Sequence, residues 1–401
     1  MRAGKEKQEP SELPTANDYR IAVLDDPSHI EAQVWDALLA EQEAPTPFMR
    51  HAYLHALHAS GSACDDTGWS CHIVTLWQGD RLMAACPLYV KTHSYGEYVF
   101  DWAWARAYAE HGLAYYPKAV IAIPFTPVPG SRLLARDTAS RRALLETCRR
   151  WCWDRGLSSL HLLFASPADL AAAASLDAMT RETVQFHWHR NGLSDFAALL
   201  ASLSQDKRKK IRQERRRVAE AGVHFDVRQG SAITPADWDF FYACYTRTYA
   251  EHGNPPYLSR DFFHRLAQNH AQHWVLFIAL REGQRIACSL IAVDHWGTAQ
   301  AVAYGRYWGA LQRVDSLHFE ACYYQPLQWC LAHGVHRFEG GAQGEHKMAR
   351  ALMPAVTHSA HWLAHPAFAD AVERFLQREH QGMAQYLEHL NERSPFKNHG
   401  A

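Results

Sequence analysis

Ten residues near the C-terminus, Phe338 to Lys347 (F-E-G-G-A-Q-G-E-H-K), concentrate the groups with which a protein does chemistry. A β-compatible stretch, Val335 to Glu339, runs into three glycines within five positions, Gly340, Gly341 and Gly344. Glycine adopts positive φ freely and lets backbone approach a ligand closely. Glu339, Gln343, Glu345, His346 and Lys347 stand among and just after them, so an acceptor, a base and a cation are held at one place. An exposed loop could carry the same composition without function. The weight of the motif therefore depends on what positions it.

What precedes the motif occurs twice in the chain. W-C-L-A-H-G-V-H-R-F-E, Trp329 to Glu339, matches W-C-W-D-R-G-L-S-S-L-H, Trp151 to His161, in its Trp, Cys, Gly and apolar spacing. A second pair agrees: G-D-R-L at Gly79 and G-Q-R-I at Gly283 each join two apolar runs and predict β-hairpins with glycine in the turn. Each half thus reads as hairpin, helix, strand, the signature of an internal duplication. Gly79 and Gly156 are 77 positions apart and Gly283 and Gly334 are 51 apart, so the first half carries 26 extra residues. The expected division is a disordered tail over 1–18, a first unit over 19–195, a second over 196–365, and a C-terminal helical segment over 366–395.

Bulk properties exclude several classes. With 401 residues and 48% hydrophobic content there is material for two cores, and a net charge of −1 gives no global attraction to polyanions such as DNA. The nine cysteines contain no CxxC pair, which predicts reduced, buried thiols and a cytoplasmic protein. No apolar run approaches the roughly 20 residues that span a bilayer. Among 26 histidines, His51, His55 and His58 have helical spacing and His187 and His189 flank Trp188, but no further ligand joins either group, so no metal site is expected. The G-x-S-x-G of a hydrolase and the phosphate loop of an NTPase are missing.

The extra segment, roughly 93–136, sets acids and cations among aromatics: Glu97, Asp101, Trp102, Tyr116, Lys118, Thr126 and Arg132. Its prolines and glycines exclude a long helix. The composition favours a polar-ligand cleft over pure packing. Between the halves, D-K-R-K-K-I-R-Q-E-R-R-R-V predicts a helix over 204–221 with eight cations against Glu214 from Lys207 to Arg217. Either it is a solvated connector or Lys207, Arg208, Lys209, Lys210 and Arg212 bind phosphate.

The order of helices, a three-strand meander, a helix and further strands in each half resembles the acyltransferase fold of the GNAT superfamily. Two such units in tandem, with Y-G-E-Y-V-F-D-W-A-W-A, Y-Y-P-K, P-F-T-P-V-P-G-S-R, Q-F-H-W, the basic run and F-E-G-G-A-Q-G-E-H-K, resemble the FemAB-like predicted N-acyltransferases of the peptidoglycan biosynthesis or recognition group, from about Thr46 to Trp362. The resemblance implies an α/β fold of two GNAT-like units with mixed central sheets. It also implies transfer of an acyl or aminoacyl group to an amine of a small molecule or cell-wall precursor, with no tightly bound cofactor. Such an amine must lose a proton, for which Glu345 is the first candidate and Glu339 the second. Lys347 would face the developing oxyanion or a substrate phosphate, and His346 could take either role. Gly340, Gly341, Gln343 and Gly344 would contact substrate, with Tyr304 and Arg306 on the third meander strand and the loop after it. An ordinary GNAT grips coenzyme A with Q/R-x-x-G-x-G/A after that strand. Here Arg306 and Gly309 fit and Leu311 replaces the small last residue, which favours an aminoacyl-tRNA donor over acyl-CoA. With His161 at the position of Glu339, the first unit would bind acceptor and the second transfer. The rival class is a non-catalytic binder of glycans, muropeptides or polyanions.

Overall fold

The computed structural model of the chain describes residues 19–397 apart from 296 and 343. The expected tail over 1–18 and the candidate Gln343 therefore lie outside the described residues. The first half contributes strands β1 (Arg20–Leu24), β2 (Trp69–Gln78), β3 (Arg81–Lys91), β4 (Lys118–Ile121), the short β5 (Leu134–Ala135), β6 (Ser159–Leu162) and β7 (Met179–His189). Its helices are α1 (Ala32–Ala40), α2 (His51–Ala59), α3 (Trp102–Glu110), α4 (Thr138–Asp154) and α5 (Pro167–Ala174). The second half adds β8 (Val223–Gln229), β9 (Trp274–Arg281), β10 (Gln284–Asp294), β11 (Val302–Ala310), β12 (Arg337–Ala342) and β13 (Met353–Leu363). Its helices are α6 (Phe196–Ser202), α7 (Gln205–Glu220), α8 (Pro235–Glu251), α9 (Arg260–Asn269), α10 (Leu317–Phe319), α11 (Gln325–Ala332) and α12 (Pro366–Glu392). A π-helical turn, Glu320–Tyr324, joins α10 to α11.

All of these strands share one sheet, ordered β1-β2-β3-β4-β6-β13-β7-β12-β11-β10-β9-β8, with β5 beside β3. The order is a palindrome of two equivalent sets. In each half a hairpin leads to a further strand (β4, β11) that runs parallel to the next one (β6, β12). The last strand of each half then pairs with the other half: β7 lies antiparallel to β12, β13 antiparallel to β6, and β7 and β13 pair with each other between them. The two Trp-Cys-Gly segments therefore end in topologically equivalent strands, as the repeat predicts. The turn glycines Gly79 and Gly283 take φ of 59° and 74°, and Gly156 and Gly222 follow helices α4 and α7 at 66° and 74°.

One face of the sheet carries a core that crosses the duplication. Trp35, Phe48, Tyr53 and Trp69 from the first half pack with Trp238, Phe241, Phe262 and Trp274 from the second. The opposite face is covered separately, by α4 and α5 over the first half and by α6, α7 and α10–α11 over the second. Most of the first half's extra length is in the β3–β4 connection, residues 92–117, where 295–301 suffice between β10 and β11. The prolines and glycines there still leave room for the nine-residue α3 and the four-residue β4. A second difference concerns β11. Antiparallel pairing with β10 continues to Ala287 opposite Ala310, so the strand runs through Arg306 and Gly309 rather than ending near Tyr304.

Candidate functional site

β11 and β12 pair only through Val302–Tyr304 and Arg337–Glu339, and then part. The cause is local. Leu290 stands opposite Tyr307 and Ile291 opposite Gly305, so Arg306 is an extra residue in β11. A bulge of this kind bends the strand and re-aims the side chains at it. Across the gap, β12 changes direction at Gly341, whose φ is 76°. No side chain fits at Gly340: a Cβ there would lie 2.3 Å from Leu352 Cδ2 and 3.0 Å from the Phe186 carbonyl oxygen.

The parted strands border two cavities. One of about 170 Å³, on the α10–α11 face, is lined by Ser289, His318, Cys322, Tyr323 and Lys347. The other, about 230 Å³ on the α8 face, is lined by Tyr98, Phe125, Tyr245, Tyr249 and Leu258. Gly305, Arg306, Tyr307 and Gly340 line both, so the gap between β11 and β12 is their common boundary. The first half supplies one wall. The loop after β4 reaches across, and Arg306 Nη2 donates to the Phe125 carbonyl (3.0 Å) and to Thr126 Oγ1 (3.3 Å). In the first half itself the corresponding gap is bridged by backbone: Leu163 N donates to the Ile121 carbonyl and Gly130 N to that of Phe164, each at 3.1 Å.

Glu339 sits at the root of the gap, opposite Tyr304. It is 3% exposed, and burial pushes its carboxyl up to about 7 against the pull of Arg337, 2.9 Å from Oε1, and of Arg132. Its Oε2 is buried without a hydrogen bond, 4.0 Å from His187 Nε2. Burial, with Arg337 beside it, pushes the His187 imidazole down to about 3, so it is neutral and 3.2 Å from Gln185 Oε1. Lys347 is buried too. Its Nζ donates to the Gly341 carbonyl (3.1 Å), and burial pushes its ammonium down to about 8. Burial thus shifts toward neutrality both the carboxyl at the root of the gap and the ammonium that lines the cavity on the α10–α11 face, as suits groups that exchange protons.

The other candidates separate from this pair. Glu345 is exposed; its carboxylate accepts from Arg393 Nη1 (2.8 Å) and Tyr386 hydroxyl (3.0 Å), which hold it below the usual carboxylate range. Gly344, at φ 95°, turns the chain outward there. Glu345 and His346 line a surface depression of about 440 Å³ with Lys207, Lys210 and Arg393. Helix α7 is docked through Ile211, Val218 and Glu214, and Glu214 accepts from Arg350 at 3.0 and 3.1 Å; Lys209, Lys210 and Arg212 stay exposed and Arg208 is half-buried.

Asp101, Tyr116 and Lys118 form a different cluster, within the first half. Lys118 Nζ is fully buried, donates to Glu97 (2.7 Å) and Ser94 (2.9 Å), and also contacts Asp101. Tyr116 hydroxyl meets Ser94 at 2.8 Å. Burial opposes ionisation of Asp101, but Lys118 outweighs it and holds the carboxyl low. Tyr115 links Asp101 to His161, which meets His361 at 2.8 Å. The polar-ligand cleft expected of this segment is not formed by Asp101 and Lys118, because their charges are satisfied within the core. Arg132 is wholly buried and donates to the Gly130 carbonyl (3.3 Å) and that of Val128. Trp102 lies on the surface, 40% exposed.

The expected loop after the third meander strand is corrected in place: Arg306 and Gly309 both lie within β11. Gly309 lies in β11, where a Cβ would come within 2.1 Å of the Cys244 carbonyl oxygen. Its smallness serves the close approach of α8. Sequence reasoning missed His187, Gln185, Tyr98, Phe125 and the tyrosines of α8. A weak signal existed in Q-F-H-W, whose alternation puts Gln185 and His187 on one face of β7.

A family model described as FemAB-like, peptidoglycan biosynthesis/recognition, matches residues 26–398. The crystal structure of FemX aligns with TM-score 0.53 and 10% identity, over 88% of this chain and all (100%) of that one. The structure of L-PGS from Bacillus licheniformis aligns with TM-score 0.51 and 11% identity, over 88% of this chain and 98% of that one. A tandem GNAT protein from the clavulanic acid biosynthesis pathway is similar over 87% of this chain at 13% identity, with TM-score 0.45. No curated protein matches the sequence significantly. The fold is the α/β one expected, two GNAT-like units in tandem sharing one mixed sheet.

Proposed function

The chain belongs to the FemAB-like family of peptidoglycan biosynthesis/recognition proteins, and from this premise we propose that it is an N-acyltransferase whose reaction takes place in the gap between β11 and β12. The observation that carries the reading is the bulge at Arg306, which parts two parallel strands and opens one cavity on each face of the sheet. Two substrates can enter from opposite faces and meet at the common boundary, where their reacting atoms are held in place. The donor is an activated ester or thioester, and the acceptor an amine.

Glu339 takes the amine proton. Its carboxyl near 7 is basic enough to accept one and ionised enough to do so at neutral pH. Neutral His187 leaves the second carboxylate oxygen free of a competing cation. Lys347, at the far wall of the gap, stabilises charge on the carbonyl oxygen as the tetrahedral state forms. The exposed Glu345 is replaced as base by Glu339. An aminoacyl-tRNA is the donor that fits helix α7 best, because Lys207 and Lys210 line the depression at His346 and Lys209, Lys210 and Arg212 are exposed on the same helix. Domain roles follow: the second unit transfers, and the first supplies the wall at Phe125 and Thr126 on the acceptor side.

The test is incubation of the full chain with aminoacyl-tRNA or with acyl-CoA, and a mixture of amines, read by mass spectrometry. Amide formation from either donor supports the reading. Saturable binding of glycan or muropeptide without any amide product supports the binding-protein class instead.

A further inference from the structure

The cavity on the α8 face contains a guanidinium without a counter-ion. Arg306 donates to a carbonyl and a hydroxyl, and its Nε is buried with no acceptor. The titratable groups within its electrostatic reach are the phenols of Tyr307, Tyr53 and Tyr98, and no carboxylate among the described residues pairs with it. Arg350 pairs with Glu214 at 3.0 Å and Arg181 with Glu379 at 2.7 Å, and wholly buried Arg132, though it makes no ion pair among the described residues, has the carboxylates of Asp169 and Glu339 within electrostatic reach. Enclosing a charge without a partner is costly, and a ligand that brings the partner recovers that cost.

The surroundings describe the rest of the ligand. Tyr98, Phe125, Tyr249 and Leu258 form an apolar wall, and Gly340 and Gly341 border the gap beyond it. The volume, about 230 Å³, lies below the roughly 300–1,000 Å³ of pockets for drug-sized ligands. It suits a molecule of about one amino-acid residue. The loop that aims Arg306 is itself held in an unusual conformation. Phe125 takes φ of 58°, fixed by its N–H to the Gly96 carbonyl (3.1 Å) and by its ring stacked on Tyr257 at 4.9 Å. A bulky residue persists there only where the surroundings dictate it.

We propose that this cavity is the acceptor site and that the acceptor is a free amino acid. Its carboxylate pairs with Arg306, its side chain lies on the aromatic wall, and its amine points into the gap toward Glu339. This rests on the gap being the place of acyl transfer. The amine nitrogen attacks the carbonyl carbon of the donor, a C–N bond forms, and the C–O or C–S bond to the leaving group breaks. The surplus amine proton passes to Glu339 and the leaving alkoxide or thiolate takes up a proton. The product is an N-acyl amino acid that keeps its carboxylate.

The experiment is calorimetric titration of the full chain with L-leucine, L-phenylalanine and L-lysine and with their carboxamides. At least one acid should bind saturably, and its amide should bind about 10–100-fold more weakly, the range for losing a charge-assisted bidentate contact. Arg306→Gln should remove the difference between acid and amide, and Arg306→Lys should restore part of it, with melting curves run beside both. If the glutamine variant does not fold, the comparison of acid with amide on the unaltered chain decides. Equal affinity for acids and amides, or no saturable binding of any acid, overturns the proposal. Acid-selective binding without transfer from any donor would keep this cavity's assignment and remove acyl transfer; transfer to amides as readily as to acids would do the reverse.

Discussion

Replacing Glu339 by glutamine separates the proposed base from every other carboxylate in the chain. Glutamine keeps an oxygen for Arg337, 2.9 Å away, and loses the carboxylate's charge and its ability to take up a proton. With its carboxyl near 7, Glu339 is ionised to about one tenth at pH 6, one half at pH 7 and nine tenths at pH 8. The acceptor amine titrates as well, and its limb is common to both proteins. The ratio of wild-type to Glu339→Gln turnover therefore isolates the carboxylate. That ratio should rise nearly tenfold from pH 6 to pH 8, flatten above, and reach about 10²–10⁴ at its plateau. Stability works in the opposite direction. The folded chain keeps the Glu339 proton up to about 7 and the unfolded chain releases it near 4.5. Folding of the wild type therefore loses stability across that window as pH rises, and regains it across the same window as pH falls, in full below about 4.5. Glutamine does not ionise, so at pH 8 the variant should melt no lower than wild type. The assay is turnover from pH 6 to 9 with melting curves beside it, and Glu345→Gln as the control. A ratio flat across pH 6–8, or an equal loss in the Glu345 variant, would refute the assignment.

Lys347→Ala should lower turnover by about 10²–10³ with the fold intact, since it removes the cation at the gap; unchanged turnover with normal melting would dismiss that role. Reversing Lys209, Lys210 and Arg212 to Glu should move the melting temperature by no more than about two degrees, because all three are exposed, and should weaken tRNA binding with a shallower salt dependence. Affinity that does not change with salt in either protein would leave α7 a solvated face. Glu214→Ala should destabilise by about 3–5 kcal/mol in a denaturant melt, because it strands the buried Arg350 beneath the Phe319 ring.

The duplication was legible because turn glycines and the Trp-Cys-Gly spacing recur where both halves need the same turns. The exchange of β7 and β13 was not. Each reads as a strand, but alternation along a strand does not say which neighbour it will choose. The glycine motif was found as the place of chemistry, but its two carboxylates were ranked by neighbourhood rather than by face. Alternation along β12 sends Phe338 into the core beneath α10–α11 and Glu339 to the opposite face, with Tyr304 and Arg132. Gly344 turns Glu345 to the surface. The bulge at Arg306 left no mark in composition, since it arises from the register of β10 against β11. Polar groups of the first half suggested a cleft, whereas Lys118, Asp101 and Glu97 neutralise one another in the core.

A crystal structure with a non-transferable acyl-donor analogue reads directly where the acyl carbon sits. The carbonyl carbon should lie between Gly305 and Gly340, with its oxygen toward Lys347 and the face open to attack turned toward Glu339. A carbonyl carbon found in the depression beside Glu345, or among Glu97, Asp101 and Lys118, would contradict this.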